Sequence, residues 1–543
     1  MREFKRIKDP IYGYIQIPVT YMTDIVDTSA FQRLRRILQT SYSPLYSSAV
    51  HNRFVHSMGV YYLGELASEQ LLREIDNKFG SGLALQGVGE TFKLACLLHD
   101  VGHAPFSHTG ETFYLEDGQD FSGLHAMLAD AVGSDTFRTD IPADKSQAAA
   151  PHEIMSAVIG LDEYADFFPD TDQRELFARC ITGYKYSDQS SVENNIKNCF
   201  ISLLNSKVID VDKLDYLIRD AFITGFDTVN IDFERLLTSI TISKVGGRYE
   251  ITYGKNAISV IENVVYAHDA ERKWIQTHPV VLYETYILQH IISYLSGKID
   301  GDGRKLFSRE SLSVEGQMFD NGVHVSLLCD DDIIYLMKNV FPGELNREFF
   351  ERRERRHPVW KSEAEYKVFL LDLAKGGSLL EEFEKAMSAT AKYLVKSTDS
   401  WVIDNELIAK LEAERQRADE TDMDAMTKEV QMQDKDRILK VMHALQNYAD
   451  EKKFPCNFVV LMASQFGSGF GKVDFAETKI AFHTKDGEKI NKFSEIVSSF
   501  EAKKKERENF FYLFYKRDPD ADVNEIDIDN QEICRRLFQK VVF

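Results

Sequence analysis

The chain has 543 residues, 44% hydrophobic and 12% aromatic, which is typical of a folded globular protein and too long for one compact core. Its 86 acidic and 65 basic residues give a formal net charge of -21, which argues against general binding to duplex nucleic acid. The sequence lacks an apolar membrane span, an N-terminal signal segment and any CxxC pair, so we expect a cytoplasmic protein with reduced thiols.

The N-terminal region begins with strand-like and then helical patterns. Alternating apolar and turn residues over 7–17 predict a short hairpin. Apolar residues at helical spacing then predict a helix after Asp27, whose polar face carries Gln32 and three arginines. That face is either a solvated basic surface or a contact for phosphate or nucleotide. A second helix is predicted over 51–72.

The segment 94–108 places an apolar run directly before a His-Asp pair. The run predicts a buried helix whose last turn brings His99 and Asp100 to one place, after which a Gly and a Pro turn the chain. A single His-Asp pair is most often a hydrogen-bonded core feature. Imidazoles and a carboxylate gathered where a helix ends also suit a metal site or a hydrolytic site.

Two other predicted helices carry residues of the same kinds, which favours the site interpretation. His56 lies three residues after Arg53 and so on the same helix face. The segment 210–222 is strongly helical, and four polar residues share one of its faces. These are Asp212, Tyr216, Arg219 and Asp220. Such a face fits a helix that borders a polar pocket better than a plain core helix.

Together these residues predict a site for one divalent metal ion. The expected ligands are His56, His99, Asp100 and Asp212. Two imidazoles and two carboxylates suit Mn, Fe, Zn, Ni or Mg and do not select among them. A bound metal lowers the pKa of its water and clamps a phosphoryl oxygen, which are two routes to hydrolysis.

A second group of polar residues lies near these ligands in sequence. His103, His108 and His152 are candidate general acids or phosphate contacts, and the alternative for each is a structural histidine. Glu111, three residues after His108, is placed to orient that imidazole and raise its pKa. Candidate contacts for anionic oxygens are Arg53, Lys213 and Arg219. Tyr216 can pack on a sugar, and Asp220 can accept from a sugar hydroxyl.

The rest of the chain differs from these segments in its pattern of apolar, charged and turn residues. We interpret 115–150, which contains several glycines, as a long insertion or loop over the site. Alternation around Gly246-Gly247 predicts a β-hairpin over 238–260, and a helix is predicted over 493–506. We expect a mainly α fold in three regions: a helical core with a small β-hairpin over 1–300, a charged helical region over 301–450, and a C-terminal α+β lobe over 451–543.

Five segments together resemble the HD-domain dNTP triphosphohydrolase family, typified by the sterile-alpha-motif/HD-domain enzyme and its bacterial dGTPase-like relatives. They are 9–15, 31–39, 51–60, 94–108 and 210–216. The likeness covers about residues 5–290 well and 475–516 more loosely. It implies an HD-domain helical core and the hydrolysis of a dNTP to a deoxynucleoside and triphosphate, in control of dNTP pools or in defence against phage.

The resemblance also implies roles for single residues. The metal ligands are the four residues named above. His108 would protonate the leaving 5′ oxygen, oriented by Glu111 where the family usually has Asp. The residues implied at the phosphates are His103, His152, Arg53 and Lys213. The residues implied at the deoxyribose are Gln39, Tyr216 and Asp220.

A second nucleotide site is implied at the N-terminus. In the family, an Asp and an Arg at the positions of Asp27 and Arg35 recognise an activating guanine nucleotide between subunits. Gln32 lies between them and Lys5 is nearby, but Lys8 stands where an Asn is expected. The resemblance therefore implies an activating nucleotide that need not be a guanine nucleotide.

Family members assemble as tetramers, and the resemblance therefore implies a homo-oligomer with a dNTP as substrate. The lack of an apolar span and the net charge of -21 predict neither a membrane nor nucleic acid as a general partner. Family positions near the base fall on His268, Arg272 and Gln276, so base preference is open. Two other interpretations remain. One is another HD phosphohydrolase that acts on nucleoside monophosphates or signalling nucleotides, and the other is a nucleotide-sensing module without turnover.

Overall fold

The computed structural model describes residues 3–543 with internal gaps. The gaps are 41–44, 81–84, 86, 116–119, 227–229, 302, 352–354, 371–376, 397–399, 421–424, 453–456, 464–472, 486, 498–509 and 519. The described chain is mainly helical with a few small sheets, as expected. Among the helices described, none is both long enough and apolar enough to cross a membrane.

The chain folds into two compact units whose segments alternate along the sequence. Unit 1 comprises 1–272, 295–340 and 467–504, and unit 2 comprises 273–294, 341–466 and 505–543. This division differs from the three consecutive regions read from the sequence. The region 451–543 is shared between the units, because the strand Lys479–Thr484 pairs with the strand Arg248–Gly254 of unit 1.

Unit 1 is a helical core with a hairpin at its N-terminus. The predicted hairpin forms from Phe4–Asp9 and Gly13–Pro18. The α-helices are Val19–Tyr21, Ser29–Gln32, Arg53–Phe79, Val88–Leu98, Ser122–Val132, Asp135–Asp140, Pro151–Glu163, Thr171–Thr182, Val192–Leu204, Val211–Thr224, Phe233–Leu237, Ile258–Glu271, Arg309–Leu312, Asp330–Tyr335, Val473–Ala476 and Phe493–Ile496. Helices Arg53–Phe79 and Val88–Leu98 pack on each other, so the core forms around the segments that carry the His and His-Asp motifs.

A four-stranded sheet completes unit 1. Its strands, in spatial order, are Gly487–Lys492, Lys479–Thr484, Arg248–Gly254 and Ile240–Val245. The predicted hairpin across Gly246 and Gly247 is confirmed, and both glycines have positive φ, as the tight turn requires. A short pair, Gln317–Met318 with His324–Val325, lies in the region predicted to be helical.

The interpretation of 115–150 as a mobile loop was wrong for the described part of this segment. Its described part contains the helices Ser122–Val132 and Asp135–Asp140, and Ser134 caps the second by accepting from Phe137 N–H. Leu128 and Phe137 are fully buried, and the first helix packs against Pro151–Glu163. Gly133 ends the first helix instead of marking a loop, since it takes the left-handed conformation of a helix C-terminus.

Unit 2 combines long helices with a small buried sheet. Its helices are Pro279–Ile299 (which ends in unit 1), Glu344–Phe350, Glu363–Leu370, Gly377–Lys396, Asn405–Glu420, Ala425–Glu451 and Val523–Val542. Strand Phe510–Tyr515 lies between His357–Pro358 and Val459–Ala463, and all six of its residues are buried. Most of the helix predicted over 493–506 lies outside the described residues.

Candidate metal and phosphate site

Three segments of unit 1 bring the expected metal ligands together. His56 lies in the first turn of the Arg53–Phe79 helix, which Asn52 caps by accepting from Val55 N–H. The buried helix Val88–Leu98 ends directly before His99 and Asp100. Asp212 is in the first turn of Val211–Thr224. Each ligand therefore lies at the end of a helix whose apolar face is packed into the core.

Polar atoms of all four residues surround one small volume. His56 Nε2 lies 3.3 Å from His99 Nε2 and 3.0 Å from Asp212 Oδ1. Asp100 Oδ1 is 3.5 Å from His99 Nε2, and its Oδ2 is 3.7 Å from His56 Nε2. Only the Asp212 side chain is substantially exposed among the four, at 34%. The group is closed on the core side and open beside Asp212.

Outer contacts orient both imidazoles. His56 Nδ1 donates to Asp215 Oδ2 at 2.7 Å, and His99 Nδ1 donates to the Cys96 carbonyl at 2.9 Å. Both Nε2 atoms therefore face the same two carboxylates, Asp100 and Asp212. Burial lowers the pKa of His56, but its hydrogen bonds to Asp212 and Asp215 outweigh this and raise the pKa to about 10. The site stabilises positive charge, so its donors fit a divalent cation.

Asp215 is a residue that the sequence analysis missed, although it lies on the same helix as Asp212. Besides His56, its carboxylate accepts from Tyr12 Oη at 2.7 Å and from Arg219 Nε at 2.9 Å. Arg219 was expected to bind anionic oxygens, and those that it contacts in the described structure belong to the protein's own carboxylates. Its guanidinium is buried and also donates to Asp9 at 3.0 Å, so it balances the carboxylates behind His56.

The second expected group also comes together. Glu111 accepts from His108 Nδ1 at 3.2 Å through Oε1 and from His152 Nδ1 through Oε2. The His103 and His152 rings stack with centroids 4.1 Å apart, and the His108 ring stands edge-on to both. Burial lowers the pKa of His152, but Glu111 outweighs this and raises it to about 9. The pairing of Glu111 with His152 was not expected from the sequence.

Several residues expected to contact phosphate or sugar are bonded to other side chains of this chain in the described structure. Arg53 Nη1 donates to Asp100 Oδ2 at 2.8 Å. Lys213 Nζ donates to Asp210 Oδ2 at 2.6 Å. Asp220 Oδ1 lies 2.7 Å from Nε2 of His51, a histidine to which the sequence analysis gave no role, and Tyr216 is half-buried on the same helix as Asp220.

Two expected residues keep buried polar atoms without a hydrogen-bond partner in the described structure. They are Oε1 of Gln39 and both ring nitrogens of His103. Burying such atoms unsatisfied is costly, so they mark positions where polar atoms of a ligand fit. His268, expected near the base, likewise keeps Nδ1 buried without a hydrogen bond.

The residues expected to bind an activator form two neighbouring pairs. Lys5 Nζ lies 3.7 Å from Asp27 Oδ2, and both side chains are about half exposed. Arg35 Nε donates to Gln32 Oε1 at 2.8 Å, and its guanidinium stacks 3.5 Å from the centroid of the Phe54 ring. Burial lowers the pKa of Arg35, while the Asp27 carboxylate raises it. The two pairs therefore lie within electrostatic reach of each other.

Comparisons with known proteins agree with this geometry. Residues 53–159 match the family model of the HD domain. The chain is 30% identical to the deoxynucleoside triphosphate triphosphohydrolase SAMHD1 homolog of Dictyostelium discoideum, over 43% of this chain and 39% of that protein. It is 28% identical to SAMHD1 of Gallus gallus over 46% and 38%, and 26% identical to the uncharacterized protein YwfO of Bacillus subtilis over 54% and 56%. The match thus spans about half the length of these curated relatives, or less.

A solved structure shows the same fold over nearly the whole chain. It is a hypothetical protein from Aquifex aeolicus, with a TM-score of 0.53 and 16% identity over 98% of this chain and all of that one. The HD match begins at Arg53 and ends at Ile159, so it contains His56, His99 and Asp100. It also contains the histidine cluster, which consists of His103, His108 and His152. The chain therefore contains an HD domain and is similar, over part of its length, to proteins named deoxynucleoside triphosphate triphosphohydrolases.

Proposed function

We propose that the protein is a metal-dependent deoxynucleoside triphosphate triphosphohydrolase, which converts a dNTP and water into a deoxynucleoside and triphosphate. The observation that carries this proposal is the presence of two adjacent groups whose members, apart from Asp212, all lie within the HD-domain match. One group is the metal-type set of His56, His99, Asp100 and Asp212, and the other is the cluster of three histidines on Glu111. The first suits phosphoryl activation and the second suits proton transfer.

The proposed chemistry assigns a proton donor to the leaving group. A divalent cation held by the four ligands would polarise the phosphate oxygens around the α-phosphorus. Water adds to that phosphorus, the bond to the 5′ oxygen breaks, and His108 gives a proton to this oxygen. Glu111 holds His108 by its Nδ1, while the His108 side chain stays 65% exposed and accessible to a substrate. The proton is recovered from the attacking water.

The proposed substrate contacts follow from the charges around these groups. His152 is favoured in its protonated form and lies with Arg53 and Lys213 among the site residues, so three cations can face a triphosphate. The residues proposed for the deoxyribose are Gln39, Tyr216 and Asp220. Because the HD-domain dNTPases it resembles act on dNTPs, we propose the same substrate class for this chain.

Two further properties belong to this proposal. The surface of Lys5, Asp27, Gln32 and Arg35 would bind an activating nucleotide, and the active form would be a homo-oligomer, a tetramer by resemblance. Both pairs of residues are exposed enough to reach a ligand that another subunit also contacts. The enzyme would act in dNTP pool control or in phage defence.

Chromatography of the products tests the proposal directly. The purified chain is incubated with each dNTP, alone and in mixtures, with Mn²⁺ or Mg²⁺. We expect deoxynucleoside and inorganic triphosphate, lost in His99→Ala and retained in His443→Ala, whose imidazole is exposed in unit 2. Turnover that requires a mixture would support an activator at Asp27 and Arg35. Monophosphate or pyrophosphate as product would assign the chain to another HD activity.

A further inference from the structure

A cavity of about 920 Å³ opens in unit 1 apart from the metal ligands. Its walls come from segments 140–149, 182–189, 195–209, 248–253 and 474–479, together with Glu153. Among its described lining residues there is no metal ligand and no member of the histidine cluster. Its volume lies in the range of sites that hold a nucleotide-sized molecule.

Most carboxylates in this cavity are already neutralised by the protein. The ion pairs are Asp140 with Arg179, Glu250 with Lys479, and Glu477 with Lys492. Glu153 accepts from Asn205 Nδ2 at 2.7 Å, and burial raises its pKa to about 7. Glu153 and Asp474 are the two lining carboxylates for which the described residues offer no ion pair. The cavity therefore repels an anion much less than its acidic residue count suggests.

Three lining cations, in contrast, have no side-chain partner within the described parts of the chain. They are Lys185, Lys207 and Arg248. All three are exposed residues, so an incoming anion can reach them. Thr478 adds a buried Oγ1 without a hydrogen-bond partner. Cations without an ion pair and a buried, unpaired hydroxyl are groups that phosphate oxygens satisfy, because the cations offer charge-assisted hydrogen bonds and the hydroxyl gains a partner.

We propose that this cavity is a binding site for a small phosphate-bearing anion, separate from the metal site. Lys185, Lys207 and Arg248 would pair with the phosphate oxygens. The phosphate chain can belong to a nucleotide or to inorganic triphosphate, since both present the same charged oxygens. The spare volume beyond a phosphate chain leaves room for a nucleoside.

The cavity wall is also connected to residues of the proposed active site. Glu153 follows His152 in the chain and lines the cavity. Lys213 Nζ donates to the carbonyl of Ser206, another lining residue, at 2.7 Å. An occupant would thus contact the backbone that positions both groups. Any effect of the occupant on turnover rests on the proposed function, whereas its binding does not.

Calorimetric titration of the full chain tests the site with metal removed by a chelator. Inorganic triphosphate and a non-hydrolysable dNTP analogue are titrated separately. The test variant is Lys185→Glu/Arg248→Glu, and the control is Arg235→Glu/Lys244→Glu, which changes the charge equally outside the lining. We expect at least tenfold weaker binding in the test variant and less than a twofold change in the control. Lys207→Glu is a second, single-site variant should the double variant unfold.

Amide hydrogen exchange then locates the occupant. Protection of 182–209 and 248–254 by either probe supports the site, and protection by the dNTP analogue alone assigns the nucleoside as part of the ligand. Equal weakening in both double variants, no binding by the unmodified chain, or protection confined to 99–111 would each overturn the proposal. A failed product assay would reject the triphosphohydrolase activity and leave this binding result standing.

Discussion

At the scale of single residues, the proposed metal site depends on a carboxylate that lies behind one of its ligands. Asp215 accepts from His56 Nδ1 and thereby fixes the ring that presents Nε2 to the ligand group. It also accepts from Tyr12 and Arg219, so its own position is fixed by two further partners. The orientation of one ligand is therefore set by a network that reaches the N-terminal hairpin.

Replacing Asp215 tests this network. Asp215→Asn weakens the acceptor of His56 and frees the ring to turn, so we expect about 10–100-fold weaker Mn²⁺ binding, as for outer contacts of other metal ligands. Metal titration calorimetry measures the change, and circular dichroism verifies that the variant is folded. Asp24→Asn, at an exposed position, is the control. Equal affinities in the two variants would mean that Asp215 does not orient His56.

The ion pair of Glu111 and His152 predicts a pH dependence of stability. Burial raises the pKa of Glu111, but His152 and His108 outweigh this and hold it well below its ordinary value of 4.5. Its contribution is therefore present above pH 4.5 and lost as the pH falls further. The pKa of His152 is raised from 6.5 to about 9, so its contribution is complete below pH 6.5 and lost as the pH rises through 9.

Glu111→Gln should consequently lower the free energy of unfolding most between pH 4.5 and 6.5 and least above pH 9. We expect a loss of about 1.5–3 kcal/mol in the free energy of unfolding at the maximum, as for a hydrogen bond to a charged group. Denaturant titrations at a series of pH values measure it, with the exposed Glu488→Gln as the control. A loss that does not vary with pH would show that the pair is not ionised.

At the scale of elements, the close approach of two helices holds the metal ligands. Gly59 in Arg53–Phe79 faces Val211–Thr224, where an added Cβ would lie 1.9 Å from Asp215 Oδ1 and 2.5 Å from Arg219 Nη2. Only a glycine permits this contact. The two helices that carry His56 and Asp212 therefore depend on one missing side chain for their spacing.

Gly59→Ala should push these helices apart. We expect a loss of about 1–3 kcal/mol in the free energy of unfolding, the usual cost of overpacking, together with weaker Mn²⁺ binding. Gly297→Ala is the matched control, because nothing lies within 4 Å of its added Cβ and alanine favours a helix. Denaturant titration and metal calorimetry are the measurements. Equal stability of the two variants would contradict the tight contact.

A second element-scale contact joins two loops of the site. Asp330 begins the helix Asp330–Tyr335, and its carboxylate accepts from Leu38 N–H at 2.9 Å and from Phe106 N–H at 2.6 Å. Leu38 precedes Gln39, and Phe106 has a left-handed φ of 56° just before the segment of His108. Asp330 thus sets the distance between a proposed sugar contact and the proposed proton donor.

Asp330→Asn should lower turnover while leaving metal affinity unchanged. The Asn side chain has only one accepting oxygen, because its other polar atom is a donating NH2 group. It can therefore replace only one of the two bonds to Leu38 and Phe106, and one loop shifts. A displacement of about 1 Å costs on the order of 100-fold in rate. Product chromatography and metal calorimetry separate the two effects, and exposed Asp331→Asn is the neighbouring control. Equal turnover in both variants would show that Asp330 does not position the loops that carry Gln39 and His108.

At the scale of the whole molecule, metal binding should stabilise unit 1 alone, because all four ligands belong to it. A ligand at 100 times its Kd adds about 2.7 kcal/mol to the folded state that binds it. We expect added Mn²⁺ to slow amide exchange in Arg53–Phe79 and Val211–Thr224, with no change in Asn405–Glu420 of unit 2. His99→Ala should abolish the effect. Equal slowing in both units would contradict a site confined to unit 1.

The sequence predicted those features that depend on local spacing. Apolar periodicity located the helices that end at His99 or begin near His56 and Asp212, and turn residues located both hairpins. It missed contacts between distant segments, such as Asp215 with Tyr12 and Asp330 with Leu38, because no local pattern marks the partner. The interleaved units escaped detection for the same reason.

The parallel pairing of Gly254 with Ala481 has a consequence for biosynthesis. The helices that carry the metal ligands leave the ribosome early, but strand Arg248–Gly254 must wait for a partner made much later. At about 5–20 residues per second, that wait is roughly 10–45 s. During this time the nascent chain exposes a sheet edge that can pair wrongly. A fragment ending near residue 300 would carry the same exposed edge permanently, so unit 1 should mature only after most of the chain has been translated.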